Sequence, residues 1–347
     1  MKILVTGATG FVGNTLIPEL RRSFPDSPVS AFVLPGDRMK EFLPKNPGLR
    51  IIEGDVVNRV DVMNAVAGHT HVVHLAGLIS YWKKDYPKLM QVNRDGVEYI
   101  VKACLFHRVR RMVHVSSAGA VGFYPHGRLA TEETPFNWPP HFHYMRSKFE
   151  GQQKVERAVV EKGLDAVILL PAAIMGPGDR NRESPLNRML SMVYRGRLFG
   201  CFSGGLAVVD VRDLVSIIVK SLKVGKKGEK YLVVGANVEY REVMKRIGSY
   251  AGKKVYPFRF PAFILTLLGF LSEAVSDVTQ RKPLLTASYG KLSGWKPYYA
   301  NEKSRRDFSH EYISFEKMIK DTCQYFEENL KINPEGSEKD VVVRSEL

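Results

Sequence analysis

The sequence predicts an α/β protein: a doubly wound parallel sheet with a smaller, mostly α C-terminal lobe. Three observations predict it. Short apolar runs alternate with apolar-periodic helical stretches through the first half of the 347 residues. A glycine-spaced turn, Thr6-Gly7-Ala8-Thr9-Gly10-Phe11-Val12-Gly13, joins the first run to the first helix. After Pro171 the alternation breaks into loops and helical stretches.

The elements follow in order. Lys2 to Thr6 is a short apolar strand, and Leu16, Ile17 and Leu20 mark one face of the helix after the turn. Strand, glycine turn and helix in this order suit a dinucleotide. Gly7 permits the tight turn, Gly10 lets the backbone approach a pyrophosphate, and Gly13 lets the helix pack on the strand. The helix N-terminus then points free N–H groups at the anion. The sheet is therefore expected to be Rossmann-type. Further strands are expected at Val29 to Leu34, Leu49 to Glu53, His71 to Leu75, Arg111 to Ser116 and Asp165 to Leu170. Helices are expected at Val60 to Ala67, Met90 to Phe106 and Met145 to Glu161.

Later elements are expected at Ser184 to Tyr194, Ala207 to Val211, Arg212 to Leu222, Lys230 to Val234, Tyr240 to Ala251 and Pro261 to Asp277. Residues 1–170 then form the dinucleotide-binding domain, completed by about 207–235. Residues 171–206 and 236–330 form the substrate lobe. The polar tail 331–347 is expected to be disordered.

A second signature is Tyr144-Met145-Arg146-Ser147-Lys148. Tyrosine and lysine four apart share a helix face, and an ammonium beside a phenol lowers the phenol's pKa. Ser116 and Ser117 end the run Met112 to Val115, where a hydroxyl faces the crevice at the carboxyl ends of the strands.

At this point the chain resembles the extended short-chain dehydrogenase/reductase family, also described as NAD-dependent epimerases and dehydratases. The resemblance runs from residue 1 to about 325. It rests on Thr6 to Gly13, Gly54-Asp55-Val56, His74 to Gly77, Val92 to Gly96, Val115 to Ala118, Tyr144 to Lys148, Leu170-Pro171-Ala172, Gly176-Pro177-Gly178 and Val209 to Asp213. Within the family it looks like the dihydroflavonol-reductase and 3β-hydroxysteroid-dehydrogenase branch, through Arg281 to Thr286 and Tyr299 to Lys303.

The resemblance implies roles. Tyr144 is the proton donor and acceptor, Lys148 tunes it and binds the nicotinamide ribose, and a serine bonds the substrate oxygen. Ser117 is chosen over Ser116 because it lies five residues before Gly122. Gly7, Thr9, Gly10, Phe11, Val12 and Gly13 hold the pyrophosphate. Asp55, with Val56, holds the adenine, although Asp55 could instead cap the following helix. Leu75, Ala76 and Gly77 lie along the ribose and phosphate, and Asn93 braces the centre. Pro171, Ala172 and Ile174 pack near the nicotinamide carboxamide.

The second strand ends in Leu34, neither the acid expected for NAD nor the base expected for NADP. Arg38 and Lys40 lie just beyond and could reach a 2′-phosphate, so NADP(H) is favoured; Asp37 beside them counts against it, and NAD(H) is the alternative. Substrate contacts are expected from Trp82, Phe123, Tyr124 and Trp138, with Tyr81, Phe136, Phe142 and Phe199 nearby, which suits an apolar, ring-containing substrate. A nucleotide-sugar epimerase or dehydratase is the alternative reading. It needs a diphosphate clamp, for which Arg180, Arg182, Arg188, Arg195 and Arg197 are candidates. Ala118-Gly119 after the serine count against a dehydratase. A cofactor-sensing protein without catalysis would tend to lose Tyr144 or Lys148.

The +15 charge is scattered rather than gathered in a basic arm, so no nucleic acid partner is expected. His69-x-His71 and His141-x-His143 lack companion ligands, so no metal is expected. With no room for a signal peptide before Lys2, and with three widely spaced cysteines, the chain is expected to be cytoplasmic. By family likeness it is expected to be a homodimer, with Val97, Ile100, Val101, Val155 and Val159 supplying an apolar interface. Ala262 to Leu271 is apolar nearly all round. It is expected to be a buried helix or a flap over the substrate, with peripheral membrane contact as the alternative.

Overall fold

The computed structural model describes residues 1–332, apart from 45–47, 182–183, 199, 257 and 284. Phe199, Arg182 and all but the first two residues of the tail 331–347 therefore lie outside the described residues. The elements are β1 (Ile3–Thr6), α1 (Phe11–Ser23), β2 (Val29–Val33), β3 (Leu49–Glu53), α2 (Arg59–Val66), β4 (His71–His74), α3 (Tyr86–Met90), α4 (Val97–Phe106), β5 (Arg111–Val115), α5 (His143–Lys162), β6 (Ala166–Pro171) and β7 (Ala173–Met175). They continue as α6 (Pro185–Tyr194), β8 (Cys201–Phe202), β9 (Gly205–Asp210), α7 (Val211–Val224), β10 (Lys230–Val233), β11 (Ala236–Glu239), α8 (Tyr240–Tyr250), β12 (Arg259–Phe260), α9 (Ala262–Thr279), α10 (Ala287–Leu292), α11 (Glu302–Phe308) and α12 (Phe315–Ile332).

Seven parallel strands form the main sheet in the order β10-β6-β5-β4-β1-β2-β3. Strands β1, β2, β4 and β6 are buried along their whole length, as apolar runs covered by helices on both faces must be. Strand β3 is the edge and its residues are partly exposed. The order reverses between β1 and β4, which opens a crevice at their carboxyl ends.

Two expectations about elements are corrected. The expected strand from Ala207 to Val211 does not enter the main sheet. As β9 it joins β7 and β11 in a separate three-stranded sheet. It bridges the two cores by strand alternation: Ala207 and Val209 pack into the main core, Leu206 and Val208 into the second. The stretch Met90 to Phe106 is not one regular helix. A π-helical segment, Gln91–Gly96, separates α3 from α4.

The nominated dimer surface is corrected as well. Val97, Ile100, Val101 and Val155 are buried in the chain's own core, and Val159 packs against it. Their periodicity marks the face that each helix turns to its own sheet. The outer faces of α4 and α5 are charged instead, with Glu98 bridging Lys102 and Lys154, and Arg146 paired with Glu150.

The π segment permits the closest approach of two helices in the molecule's centre. A Cβ at Gly151 of α5 would stand 1.9 Å from the carbonyl oxygen of Asn93. Helix propensity alone would make Gly151→Ala stabilising by about 1 kcal/mol. The contact predicts the opposite: a loss of about 1–3 kcal/mol, as in an overpacked core. Urea denaturation of the two proteins decides between them, and a rise in midpoint would contradict the contact.

Candidate active site

Gly7 begins the turn after β1 with φ +65°, and a Cβ there would meet the backbone nitrogen of Ala76 at 2.7 Å. Only glycine combines that dihedral with that contact. Gly13 lies so close to Ala8 that a Cβ would stand 2.4 Å from its carbonyl oxygen, which seats α1 on the turn. Gly10 precedes α1 in extended conformation and offers no side-chain cap. The N–H groups of Phe11 and Val12 are thus left for an anion. The loop Gly176-Pro177-Gly178 folds back toward this turn, with Gly178 within reach of the Phe11 ring.

Thr9 donates a hydrogen bond to Asp37 at 2.6 Å, and the other Asp37 oxygen accepts from the Met39 N–H. A carboxylate is thereby held beside the glycine turn, just past Leu34, which is itself exposed. Lys40 pairs with Glu53, and Arg38 is exposed. The Asp55 carboxylate accepts from the Val57 N–H, while Asn58 caps α2, so the capping alternative for Asp55 does not hold. Val56 turns into the core. Leu75 and Ala76 bond back to the backbone and hydroxyl of Thr6. Pro171 ends β6, Ala172 bonds to the Val233 carbonyl and Ile174 lies in β7. An uncapped helix N-terminus, glycines where a Cβ would collide and small residues at the β4 terminus fit a dinucleotide.

Tyr144 and Lys148 occupy the first turns of α5. The two serines diverge. Ser117 stands close enough to the Tyr144 phenol to draw its pKa down and accepts from the Gly119 N–H, whereas Ser116 donates to Gln152 inside the core. Lys148 is buried, donates to the Val115 carbonyl at 3.2 Å and lies beside Gly77. Asn93 accepts from the Leu78 N–H and donates to the Leu78 carbonyl and Ser147 hydroxyl, tying the β4 loop to α5.

The electrostatics differ from the sequence expectation. Burial raises the Tyr144 pKa above the ordinary phenol value, and Ser117 only partly offsets this. Desolvation lowers Lys148 to about 8. Below it lie the stacked rings of His74 and His114, 5.4 Å apart, both kept neutral by burial. Sequence reading passed over this pair, whose signal was register: His74 and His114 are neighbours in adjacent parallel strands.

The substrate residues divide. Phe123 and Trp138 are buried and stacked 4.1 Å apart, and Phe142 and Trp295 complete a closed aromatic core. They do not line the crevice, which corrects the expectation for both. Tyr124 lies under Arg128, and Trp82 is partly buried beside Lys84. The rings that approach Tyr144 are tyrosines: Tyr81 at 6.0 Å, with Tyr289 of α10 a further 5.4 Å from Tyr81. Tyr289 carried no local signal, since α10 reaches the site only through tertiary packing. Of the arginines, Arg180 stacks on Phe42, while Arg188 and Arg197 are exposed.

The sequence profile of the NAD dependent epimerase/dehydratase family matches residues 3–235. The chain belongs to this family. It is an NAD(P)-dependent enzyme of the extended short-chain dehydrogenase/reductase type. Sterol demethylase protein B of Methylococcus capsulatus is 29% identical over 260 residues, covering 73% of this chain and 75% of that protein. A putative dihydroflavonol 4-reductase of Synechocystis is 24% identical over 330 residues, 93% of this chain and 94% of the relative. In solved structures, a dTDP-glucose 4,6-dehydratase from Streptomyces venezuelae with NAD bound shares the fold, with a TM-score of 0.76 and 20% identity over 96% of this chain and 99% of that one.

Lys148 supplies a pH-dependent charge to this family's cofactor crevice. The ammonium is present below about 8 and is lost as pH rises through that value. NADH affinity, followed by fluorescence titration, is expected to weaken above that pH. Lys148→Met should bind weakly throughout and lose the transition. An unchanged transition in the variant would remove Lys148 as its source.

Proposed function

We propose that this enzyme transfers hydride between a nicotinamide cofactor and a carbinol or ketone carbon on an apolar, ring-containing substrate. The observation that carries the reading is Tyr144 on the same helix face as buried Lys148, with Ser117 easing its deprotonation and the rings of Tyr81 and Tyr289 beside it. Tyrosines offer ring surface with a polar tip, which suits a hydrophobic body bearing one oxygen. The bound cofactor supplies the hydride acceptor or donor. Ser117 orients the substrate oxygen. In the oxidative direction Tyr144 takes the hydroxyl proton as the carbinol C–H electron pair leaves, and in the reductive direction it returns that proton. Lys148 favours the phenolate by its charge.

The relative named for sterol demethylation supports an apolar substrate. A sugar nucleotide would need a diphosphate clamp, and Arg180 is instead stacked on Phe42. Tyr144→Phe should lower turnover by about 10²–10⁴-fold with cofactor binding retained. Calorimetric competition on the cofactor-loaded enzyme, between a steroid-like ketone and UDP-glucose, tests the substrate class. Tight UDP-glucose binding with no response to the ketone would promote the epimerase reading.

The cofactor's 2′ group is the finer question. Leu34 and Arg38 made NADP(H) the favoured form from sequence. Asp37, held at the glycine turn by Thr9, and Lys40, engaged by Glu53, shift the balance to NAD(H). A carboxylate accepts from a ribose hydroxyl and repels a phosphate. NADH should therefore bind more tightly than NADPH, and Asp37→Ala should narrow the difference. Tighter NADPH binding by the unaltered protein would restore the sequence-based preference.

A further inference from the structure

Helix α9 breaks the rule that governs every other long apolar stretch in this fold. It is 18 residues long with a mean hydropathy of 1.5, yet only 11% of it is buried. The expected buried helix is thus corrected. Phe263, Leu267, Phe270, Leu271, Val275 and Val278 are all more than half exposed, up to 85% at Val278. A contiguous apolar face of this kind is uncommon on a protein that meets only water.

The opposite face is committed to the protein. A Cβ at Gly269 would collide with the backbone of Thr286 and Ala287, and one at Gly290 of α10 would collide with the backbone of Leu265. Glu273 accepts from the Ala287 N–H. Asp277 is bound by both Lys83 and Lys84. A helix held along one side by backbone contact and ion pairs is not free to be surrounded by lipid. Its length, about 27 Å at 1.5 Å per residue, also falls short of a bilayer core. The geometry suits a helix lying in the membrane interface.

Charge selects the occupant. Between residues 253 and 291 the basic residues are Lys253, Lys254, Arg259, Arg281, Lys282 and Lys291, all flanking α9. The acidic residues in that span are Glu273, on the committed face, and Asp277, exposed but paired with Lys83 and Lys84. Tyr256 and Phe258, both exposed, precede the helix at the position of interfacial aromatics. An apolar face with cationic ends matches an anionic bilayer surface. A second copy of this chain would bring the same cations against themselves.

We infer that α9 docks the enzyme on an anionic membrane surface, its apolar face in the acyl boundary and its flanking cations at the headgroups. The committed side of the same helix adjoins the crevice through α10. Tyr144 neighbours Tyr81, Tyr81 neighbours Tyr289, and Gly290 next to Tyr289 touches α9 at Leu265. A membrane-dissolved substrate would therefore enter along α9 and α10. Docking stands without the proposed reaction; the entry route rests on it.

The test is flotation of the full chain with phosphatidylcholine vesicles, with or without phosphatidylglycerol. The unaltered protein should float with the anionic vesicles and less with neutral ones. The double variant Leu267→Glu/Leu271→Glu should partition on the order of tenfold less, while its NADH binding, read by fluorescence, stays unchanged. Arg281→Glu should reduce the preference for anionic vesicles. Failure of the unaltered protein to float, or equal flotation of the double variant, overturns docking. So does light scattering that shows an oligomer which the double variant converts to monomers, since a second copy would then cover the face. None of these readouts uses turnover, so failure of docking and failure of the proposed reaction are separable.

Discussion

At Gly151 the backbone of α5 meets the Asn93 carbonyl with no room for a methyl group. The geometry of the candidate site hangs on that contact. It sets the depth at which α5 lies, and so places Tyr144 and Lys148, less than two turns before Gly151, against the ends of β4 and β5. The π-helical segment is the other half of the constraint. Its wide turn presents the Asn93 side chain to Leu78 and Ser147 simultaneously. One residue thus joins the loop after β4 to the helix that carries Tyr144 and Lys148.

Burial then decides the charges. Lys148 loses much of its hydration and keeps one backbone carbonyl, so its ammonium is held less firmly than a surface lysine's. The His74 and His114 rings beneath it are desolvated to neutrality and add no competing cation at physiological pH. Tyr144 is likewise pushed toward its neutral form, and Ser117 is the side chain that opposes this.

The second lobe answers a different requirement. Its small sheet is joined to the main core by β9, whose alternate residues belong to opposite cores. Its helix pair α9 and α10 is closed by glycines on one side and left apolar on the other. The same pair carries Tyr289 to Tyr81, so the exposed apolar surface and a ring beside the candidate site belong to one helix pair.

Much of this was legible from residues alone. The glycine turn, the parallel strands and the pairing of Tyr144 with Lys148 rest on local spacing, because turns, strand alternation and helix faces are written in neighbouring residues; the choice of Ser117 rests on the family resemblance. Periodicity could not say which partner a face meets. Val97, Ile100 and Val155 read equally well as an interface or as core, and only the sheet beneath them decides. Phe123 and Trp138 were aromatic near the crevice in sequence, yet stacking on each other withdrew them. Asp37 came within reach of the glycine turn through a hydrogen bond to Thr9, across 28 residues. Tyr289, and the exposure of α9, depended on how the last third of the chain packs over the first. Local chemistry is set by adjacent residues, whereas burial, proximity and desolvation arise from contacts between distant ones, and these only the tertiary structure supplied.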